Sequence, residues 1–155
     1  MGQARVRRAR DANCFPRSAC AIWVKAMFEL EGLDHIALAV RDVERSASWY
    51  VDVLGFERRY RGMWNGVPVF VGLGRTALAL FPAGDRPSAQ PRELGGMLHF
   101  ALRADRENFL AIQEELTKRD IAFHFQDHEI SESIYFRDPD GYEVEITTYE
   151  LNPVL

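Results

Sequence analysis

The chain has 155 residues, of which 47% are hydrophobic and 27% are charged, and its net charge is −4 at pH 7. This composition is typical of a globular domain and excludes an intrinsically disordered, collagen-like or disulfide-scaffold protein. The sequence contains no apolar run long enough for a transmembrane helix, and its acidic balance gives no electrostatic reason to expect nucleic acid binding.

The first 26 residues differ from the rest of the chain. They carry six basic side chains and one acidic one, a net charge of +5, which leaves −9 for the remainder. Both cysteines lie here, so no disulfide framework is expected elsewhere, as in proteins of a reducing cytoplasm. Pro16 and Lys25 interrupt the apolar residues, so the segment lacks the apolar stretch of a secretory signal. We expect residues 1–26 to be a basic, poorly ordered extension and Met27 to be the true start.

The pattern becomes regular after this extension. A strand is predicted over Asp34–Val40, because His35 and small residues alternate with larger apolar ones. A helix is predicted next, with Asp42 as its N-cap and Gly55 after its end, since apolar residues recur between them at helical spacing. The pair Asn65-Gly66 indicates a tight hairpin turn within the region that follows. Three strands are predicted there, over Phe56–Arg61, Val67–Gly72 and Thr76–Phe81.

A second series of elements begins after a linker. Residues 82–96 are rich in proline and glycine and show no apolar period, which is typical of a linker. A strand is predicted over Leu98–Arg103, and Asp105 is expected to cap the helix that follows it. The tight turn Asp138–Gly141 should join the last two strands. Three strands are predicted after this helix, over Ala122–Asp127, Ser133–Arg137 and Tyr142–Tyr149.

One β-α-β-β-β unit therefore occurs twice, and His35 and His99 occupy the same position in each unit, 64 residues apart. Neither unit is large enough to bury a core alone, so we expect residues 27–155 to form a single domain. Its two modules span residues 33–81 and 97–150. The predicted fold class is α+β, with two tandem modules forming a curved, cup-shaped mixed sheet that carries its helices on the convex side.

Three residues of this pattern could bind a metal together. His35 and His99 each open a strand whose same face carries small residues, and Glu145 lies within the last strand among β-branched residues. Two imidazoles and one carboxylate form the facial triad that binds a divalent metal and leaves positions open for substrate and O₂. Taken singly, each residue has a plainer interpretation, as a structural histidine or a solvated glutamate. The equivalent positions of the two histidines favour the metal site.

Three stretches resemble the vicinal oxygen chelate superfamily, which includes glyoxalases, bleomycin resistance proteins and extradiol dioxygenases. They are LDHIALAVRDVERSASWYVDVLGFE (33–57), MLHFALRADRENF (97–109) and SIYFRDPDGYEVEITTYE (133–150). The resemblance implies that His35, His99 and Glu145 bind a divalent metal, with Fe(II) favoured and Mn(II) or Zn(II) as alternatives. It also implies a homodimer, and it leaves open whether the site closes within one chain or between two.

The segment DHEISESIYFRDPDGYEVE (127–145) is most similar to small catechol 2,3-dioxygenase-like members. That resemblance implies Tyr135 as the hydrogen-bond partner of a bound catecholate and His128 as the acid/base, with His124 as the second candidate. The strand TALALF (76–81) lacks the fourth ligand of glyoxalase I and methylmalonyl-CoA epimerase, which favours an open, three-ligand site. Several large apolar side chains could line a pocket or simply belong to the core: Met63, Trp64, Phe70, Phe81 and Phe136.

The leading hypothesis from the sequence is a cytoplasmic, metal-dependent oxygenase that performs extradiol ring cleavage on a catechol-like aromatic. The first alternative is a metal-dependent transferase or isomerase of the same superfamily, of the fosfomycin-thiol-transferase or glyoxalase kind. Against the transferase, Arg103 is the one cation found on a histidine-bearing strand face. The second alternative is a non-catalytic binding or resistance protein. The expected partner is a small aromatic or oxygen-chelating substrate, and neither nucleic acid nor a membrane is expected.

Overall fold

The computed structural model of the chain describes residues 31–85 and 96–151, and those from Gly32 onward belong to one compact unit. The predicted extension over residues 1–26 lies outside the described residues, as do residues 86–95 of the predicted linker. The elements are β1 (His35–Val40), α1 (Val43–Leu54), β2 (Glu57–Arg59), a short 3₁₀ helix (Met63–Gly66), β3 (Val69–Leu73), β4 (Thr76–Pro82), β5 (Phe100–Arg103), α2 (Arg106–Lys118), β6 (Phe123–Asp127), β7 (Glu132–Arg137) and β8 (Glu143–Thr148).

The described strands form two mixed sheets, one from each module. The strand order is β1-β4-β3-β2 in the first sheet and β5-β8-β7-β6 in the second. In each sheet the first strand of the module runs parallel to the last, while the other neighbours are antiparallel. The same order in both modules confirms the predicted tandem β-α-β-β-β repeat and the α+β class.

Both helices begin at the aspartates that the sequence predicts as caps. Asp42 accepts a hydrogen bond from the backbone N–H of Arg45, and Asp105 accepts one from the backbone N–H of Asn108. Gly55 ends α1 with a left-handed φ of 68°, which glycine adopts without strain. No helix in the described parts of the chain is long and apolar enough to cross a membrane.

Both modules contribute to one hydrophobic core. Its fully buried side chains come from both helices and both sheets, and they include Tyr50, Leu80, Phe109, Ile134 and Val144. Because each sheet buries one face in this core, its other face is free to carry polar side chains. The core therefore positions the free faces of the two sheets, on which the candidate residues lie.

Buried carboxylates in the turn between β7 and β8 form hydrogen bonds that connect module two to module one. Asp138 accepts a hydrogen bond of 2.7 Å from the hydroxyl of Tyr50, and Asp140 accepts one of 2.6 Å from the hydroxyl of Ser46. Asp140 also accepts a 2.8 Å bond from the backbone N–H of Arg41. Burial raises the pKa of Asp138. Burial acts in the same direction on Asp140, but the hydrogen bonds from Ser46 and Arg41 outweigh it and lower that pKa.

The structure differs from the sequence prediction between β2 and β3. Strand β2 ends at Arg59, and residues 60–68 form a loop with a 3₁₀ helix in place of a tight hairpin turn at Asn65-Gly66. Pro68 has no N–H to donate to the sheet, so β3 begins after it. Asn65 adopts a left-handed φ of 53° inside the loop, a conformation that asparagine tolerates better than most residues.

Candidate functional site

Module two presents a row of polar side chains across the free face of its sheet. The register pairs Glu145 with Ala101 on one side and with Tyr135 on the other, and it pairs Tyr135 with His124. Directly paired residues of neighbouring strands point to the same face, so these side chains lie beside one another. Strand β5 begins at Phe100, later than the sequence predicts, so His99 immediately precedes the strand.

Glu145 is a buried carboxylate with a partner at each oxygen. The residue is 8% exposed, and its Oε2 lies 3.0 Å from Nε2 of His99. Its Oε1 accepts a hydrogen bond of 2.6 Å from Oγ of Ser133, which is fully buried. These contacts keep a charged group inside the sheet, where an unpaired carboxylate would cost several kcal/mol. Ser133 was not predicted from the sequence, although its position two residues before Tyr135 puts it on the same strand face.

Three histidines surround Tyr135. Nε2 of His128 lies 3.0 Å from the tyrosine hydroxyl, and the ring of His124 stacks on the phenol ring with centroids 4.9 Å apart. The ring of His99 meets it edge-on at 5.7 Å. Burial, followed by the charge of Glu145, raises the pKa of Tyr135. The hydroxyl therefore stays protonated at neutral pH and can donate a hydrogen bond.

His35 lies on the sheet of module one. Its Nδ1 is 2.7 Å from a carboxylate oxygen of Asp34, and its ring meets that of Phe70 edge-on at 5.4 Å. Within residues 31–85 and 96–151, no group of three or more His, Cys, Asp or Glu side chains is placed to hold one metal ion. In a single chain, the structure thus brings His99 and Glu145 together but does not bring His35 into the same set of ligands.

The chemistry of the candidate ligands suits a divalent metal. Imidazole nitrogens and carboxylate oxygens bind Fe, Mn and Zn, with bond lengths of about 2.0–2.2 Å to zinc. Nε2 of His99 and Oε2 of Glu145 face each other across 3.0 Å, and Ser133 orients the carboxylate as outer partners do in metal sites. Asp34 contacts Nδ1 of His35, so Nε2 is the imidazole nitrogen that could bind a metal. The residues present therefore fit a metal.

The free face of the module-one sheet carries aromatic side chains beyond His35. Phe70 contacts both Trp64 and Tyr60, each of which is more than half exposed. Trp64 and Phe70 thus contact each other outside the core, whereas Phe136 is 3% exposed and belongs to the core. The two remaining candidates for the lining are both exposed, Met63 and Phe81.

Comparison with known proteins identifies the family. A family model described as the Glyoxalase/Bleomycin resistance protein/Dioxygenase superfamily matches residues 32–146. The chain belongs to this superfamily. The resemblance to vicinal oxygen chelate proteins is therefore confirmed. Members of the superfamily are mostly metal-dependent enzymes that bind small substrates, and they often form dimers.

The similar curated proteins have different activities. The chain is 27% identical over 117 residues to the glutathione transferase FosA of Serratia marcescens, covering 76% of this chain and 80% of FosA. It is 30% identical over 118 residues to the catechol-2,3-dioxygenase of Bacillus subtilis (strain 168), covering 74% of this chain and 40% of that protein. It is 34% identical over 96 residues to the mitochondrial methylmalonyl-CoA epimerase of Homo sapiens, covering 54% and 52%. The chain thus spans about half or less of the last two proteins.

The fold recurs in solved structures. A lactoylglutathione lyase from Agrobacterium tumefaciens has a TM-score of 0.62 at 25% identity, covering 81% of this chain and 99% of that one. A glyoxylase/bleomycin resistance protein/dioxygenase domain from Frankia sp. EAN1pec has a TM-score of 0.66 at 24% identity, covering 78% and 93%, and shows the fold alone. The relatives therefore share the family and the fold, and they differ in the reaction.

Proposed function

We propose that the chain is a metal-dependent oxygenase that opens the ring of a catechol-like aromatic by extradiol cleavage. The observation that supports this most is the cluster on the module-two sheet, where Tyr135 lies within hydrogen-bond distance of His128 and beside the paired His99 and Glu145. In this proposal His35, His99 and Glu145 hold the metal, with Fe(II) favoured and Mn(II) or Zn(II) as alternatives. The substrate is a small aromatic, and the enzyme works in the cytoplasm.

Each residue of the cluster then has a part in the reaction. A metal held by His35, His99 and Glu145 would supply Lewis-acid activation of the catechol, which would lower the pKa of its hydroxyls. His128 accepts the phenol proton and later returns it, since an imidazole can do both near neutral pH. Tyr135 donates a hydrogen bond from its protonated hydroxyl to the bound oxygen. His124 keeps the phenol ring of Tyr135 in place by stacking on it, and Ser133 orients the carboxylate ligand.

We further propose that a second copy of the chain completes the site. The His35 side chain is 42% exposed and does not join His99 and Glu145 in one ligand set within a single chain. A two-fold symmetric dimer would set the His35 of each copy against the His99–Glu145 pair of the other and would form two equivalent sites. Dimers are common in the superfamily, which is consistent with this arrangement.

Oxygen consumption tests the proposed reaction. Protein loaded with Fe(II) under anaerobic conditions is mixed with a panel of catechols, and O₂ uptake and ring-opened product are measured. We expect uptake with at least one catechol and its loss in Glu145→Gln, which removes a ligand charge. Glu114→Gln removes an exposed carboxylate from α2 and serves as the matched control. No uptake by metal-loaded protein across the panel would contradict the proposal.

A metal-dependent thiol transferase is the second candidate. The similarity to FosA and to FosB of Staphylococcus epidermidis extends over 80% and 83% of those proteins, compared with 40% of the catechol-2,3-dioxygenase. Thiol-dependent loss of fosfomycin, without O₂ uptake on catechols, would favour this function over the oxygenase. A protein that binds aromatics but no metal would instead be a binding protein, as the third hypothesis from the sequence holds.

A further inference from the structure

Arg59 is a cation on the face of the module-one sheet that carries His35. Its position pairs with Phe70 in β3, Phe70 pairs with Ala79 in β4, and Ala79 pairs with Ala37 in β1. Paired residues share a face, and so do residues two apart in one strand. Arg59 therefore lies on the face of His35, although the sequence analysis did not identify it as a candidate for binding an anion.

The guanidinium of Arg59 lies directly on Gly72 of β3. A Cβ atom at position 72 would be 2.1 Å from Nε and 2.2 Å from Cζ of Arg59, so the guanidinium occupies space that any larger residue would fill. The guanidinium is the far end of a flexible side chain, so a larger residue at position 72 would displace it from this place on the sheet. Nη2 donates a 2.6 Å hydrogen bond to the carbonyl oxygen of Gly74. Gly72 pairs with Ala77, which pairs with His35, so the guanidinium and the imidazole stand in one row across the sheet.

The charge of Arg59 has no carboxylate partner in the described ranges of the chain, where no carboxylate oxygen lies within 4.0 Å of its guanidinium nitrogens. Glu57, two residues earlier on the same face, is also outside that distance. Arg58, on the opposite face, has its Nη1 2.7 Å from Oε2 of Glu44. A guanidinium has five N–H donors in a planar fork that matches a carboxylate, and Gly74 accepts from only part of that fork.

Aromatic and small side chains occupy this face around Arg59 and His35. The ring of Phe70 contacts the imidazole at 5.4 Å and contacts the rings of Trp64 and Tyr60 at 5.3 Å each. Ala37 of β1 is exposed on this face and leaves room above the sheet beside His35, whereas Ala77 and Ala79 of β4 are buried. Neighbouring strands are about 4.8 Å apart, so the Cα atoms of positions 35 and 72 lie roughly 10 Å from each other. One benzene ring with a polar group at each end can bridge such a span.

We infer that Arg59 binds a carboxylate group of the substrate, so that the substrates are aromatic acids with a vicinal diol. The ring lies over Ala37 beside Phe70, with its diol at the end of His35 and its carboxylate at Arg59. The placement of the diol at His35 rests on the proposed function, because it needs the proposed metal there. The placement of the substrate carboxylate depends only on the position of Arg59 over Gly72.

Binding to the zinc-loaded protein tests the inference without turnover, because zinc is not redox active. The probes are protocatechuate and its amide, which share the diol and the ring and differ in charge. Isothermal titration calorimetry gives the dissociation constant of each. We expect the acid to bind about tenfold more tightly than the amide, the size of effect that a charge-assisted contact gives at a partly exposed site.

Two variants and a control assign the effect to Arg59. Arg59→Gln removes the charge, while Gly72→Ala keeps it and places a methyl group where the guanidinium lies. Both should make the two probes bind about equally. Arg119→Gln, at the end of α2, changes the net charge by the same amount and should leave the preference for the acid unchanged. Equal binding of the probes by the wild type, no binding of either, or an unchanged preference in Arg59→Gln overturns the inference.

The inference and the proposed function can fail separately. If Fe(II)-loaded protein consumes no O₂ but prefers the acid through Arg59, the reaction is wrong and the anion site stands. If O₂ uptake occurs and the acid and the amide bind equally, the reaction stands and the inference is wrong.

Discussion

At the scale of single residues, Glu145 shows how a charge can be kept inside a sheet. The residue is almost fully buried, and its two oxygens contact His99 and Ser133. Removing one partner of such a group leaves part of its charge uncompensated, which costs far more than the contact itself contributes. The side chain of Ser133 is therefore expected to matter both for folding and for the ligand geometry of Glu145.

Replacement of Ser133 tests this role. Ser133→Ala removes the donor to Oε1 of Glu145, so we expect metal affinity to fall by about 10- to 100-fold, the usual range for an outer partner of a ligand. Competition with a chelator measures the affinity. Ser131→Ala is the matched control, since Ser131 is also buried but makes no hydrogen bond to Glu145 in the structure. Equal affinity in the two variants would show that Ser133 does not orient the ligand.

The hydroxyl of Tyr135 can be removed with little change in packing. In Tyr135→Phe the ring keeps its stack with His124, while the contact with His128 is lost. We expect kcat for catechol cleavage to fall by about 100- to 1,000-fold, as for the loss of one oxyanion donor, with the metal content unchanged. Steady-state O₂ uptake and metal analysis of the same preparation measure the two quantities. Full activity in this variant would remove Tyr135 from the proposed mechanism.

At the scale of elements, the sequence predicts what local chemistry decides. The two helices begin at the predicted caps Asp42 and Asp105, because each side chain accepts a hydrogen bond from a backbone N–H three residues later. The first helix ends at Gly55, because glycine adopts the left-handed conformation found there. The loop over residues 60–68 was not predictable in this way. The signal Asn65-Gly66 for a hairpin was overridden by Pro68, which cannot join the sheet.

The candidate site also has a part that local sequence predicts and a part that depends on contacts between strands. The alternation of residues in a strand predicts which neighbours share the face of Tyr135 and which share the face of Glu145. The register that sets them side by side depends on pairing between β7 and β8, which the sequence alone does not specify. Arg59 went unidentified because its position depends on Gly72 in another strand. Contacts between strands are thus the part of the site that sequence reasoning misses.

The hydrogen bond from Tyr50 to Asp138, in the turn that joins β7 and β8, is expected to stabilise the fold. Tyr50→Phe removes the hydroxyl that donates to Asp138 and leaves a buried carboxylate with one donor fewer. We expect the free energy of unfolding to fall by about 1–3 kcal/mol near neutral pH, as for other buried hydrogen bonds to charged groups. Urea unfolding measures this loss. Tyr149→Phe, which alters an exposed tyrosine, is the control and should change the stability little.

The loss in Tyr50→Phe should depend on pH. Burial raises the pKa of Asp138 above its usual 3.8, so protonation of Asp138 favours the folded state, and that contribution is lost as pH rises from 3.8 through the folded pKa. The Tyr50 hydroxyl opposes this shift by stabilising the carboxylate. The variant should therefore be destabilised less near pH 4 than near pH 7. The lowered pKa of Asp140 changes stability in the opposite direction: its contribution is present above pH 3.8 and is lost on acidification. This contribution is the same in the wild type and in Tyr50→Phe. An equal loss at both pH values would contradict the pairing.

At the scale of the whole molecule, the two modules share a core, but the three proposed metal ligands do not lie together in one chain. His35 lies on the sheet of module one, whereas Glu145 lies on the sheet of module two and His99 immediately precedes β5 of that module. If two copies complete each other's sites, a hybrid dimer of His35→Ala and His99→Ala chains retains one site with all its ligands and one site with neither histidine. If each chain completes its own site, both sites of the hybrid lack a histidine.

Metal binding by such hybrids distinguishes the two arrangements. The two variant chains are co-expressed with different tags, and the hybrid dimer is purified through both. We expect about half of the wild-type metal content in the hybrid and almost none in either variant alone, as a two-fold symmetric shared site requires. A hybrid that binds no more metal than the single variants would contradict the shared site.

The metal content of the anaerobically purified protein tests most directly whether His35, His99 and Glu145 hold a divalent metal. We predict about one equivalent of iron or manganese per chain, lost in His35→Ala and in His99→Ala. Gln126→Ala, on the same face of the module-two sheet, should retain it. Zinc or nickel in place of iron would keep the ligand set and favour Lewis-acid transfer over oxygenation. A protein that binds no divalent metal after reconstitution, or histidine variants that keep the full metal content, would contradict the proposed metal site.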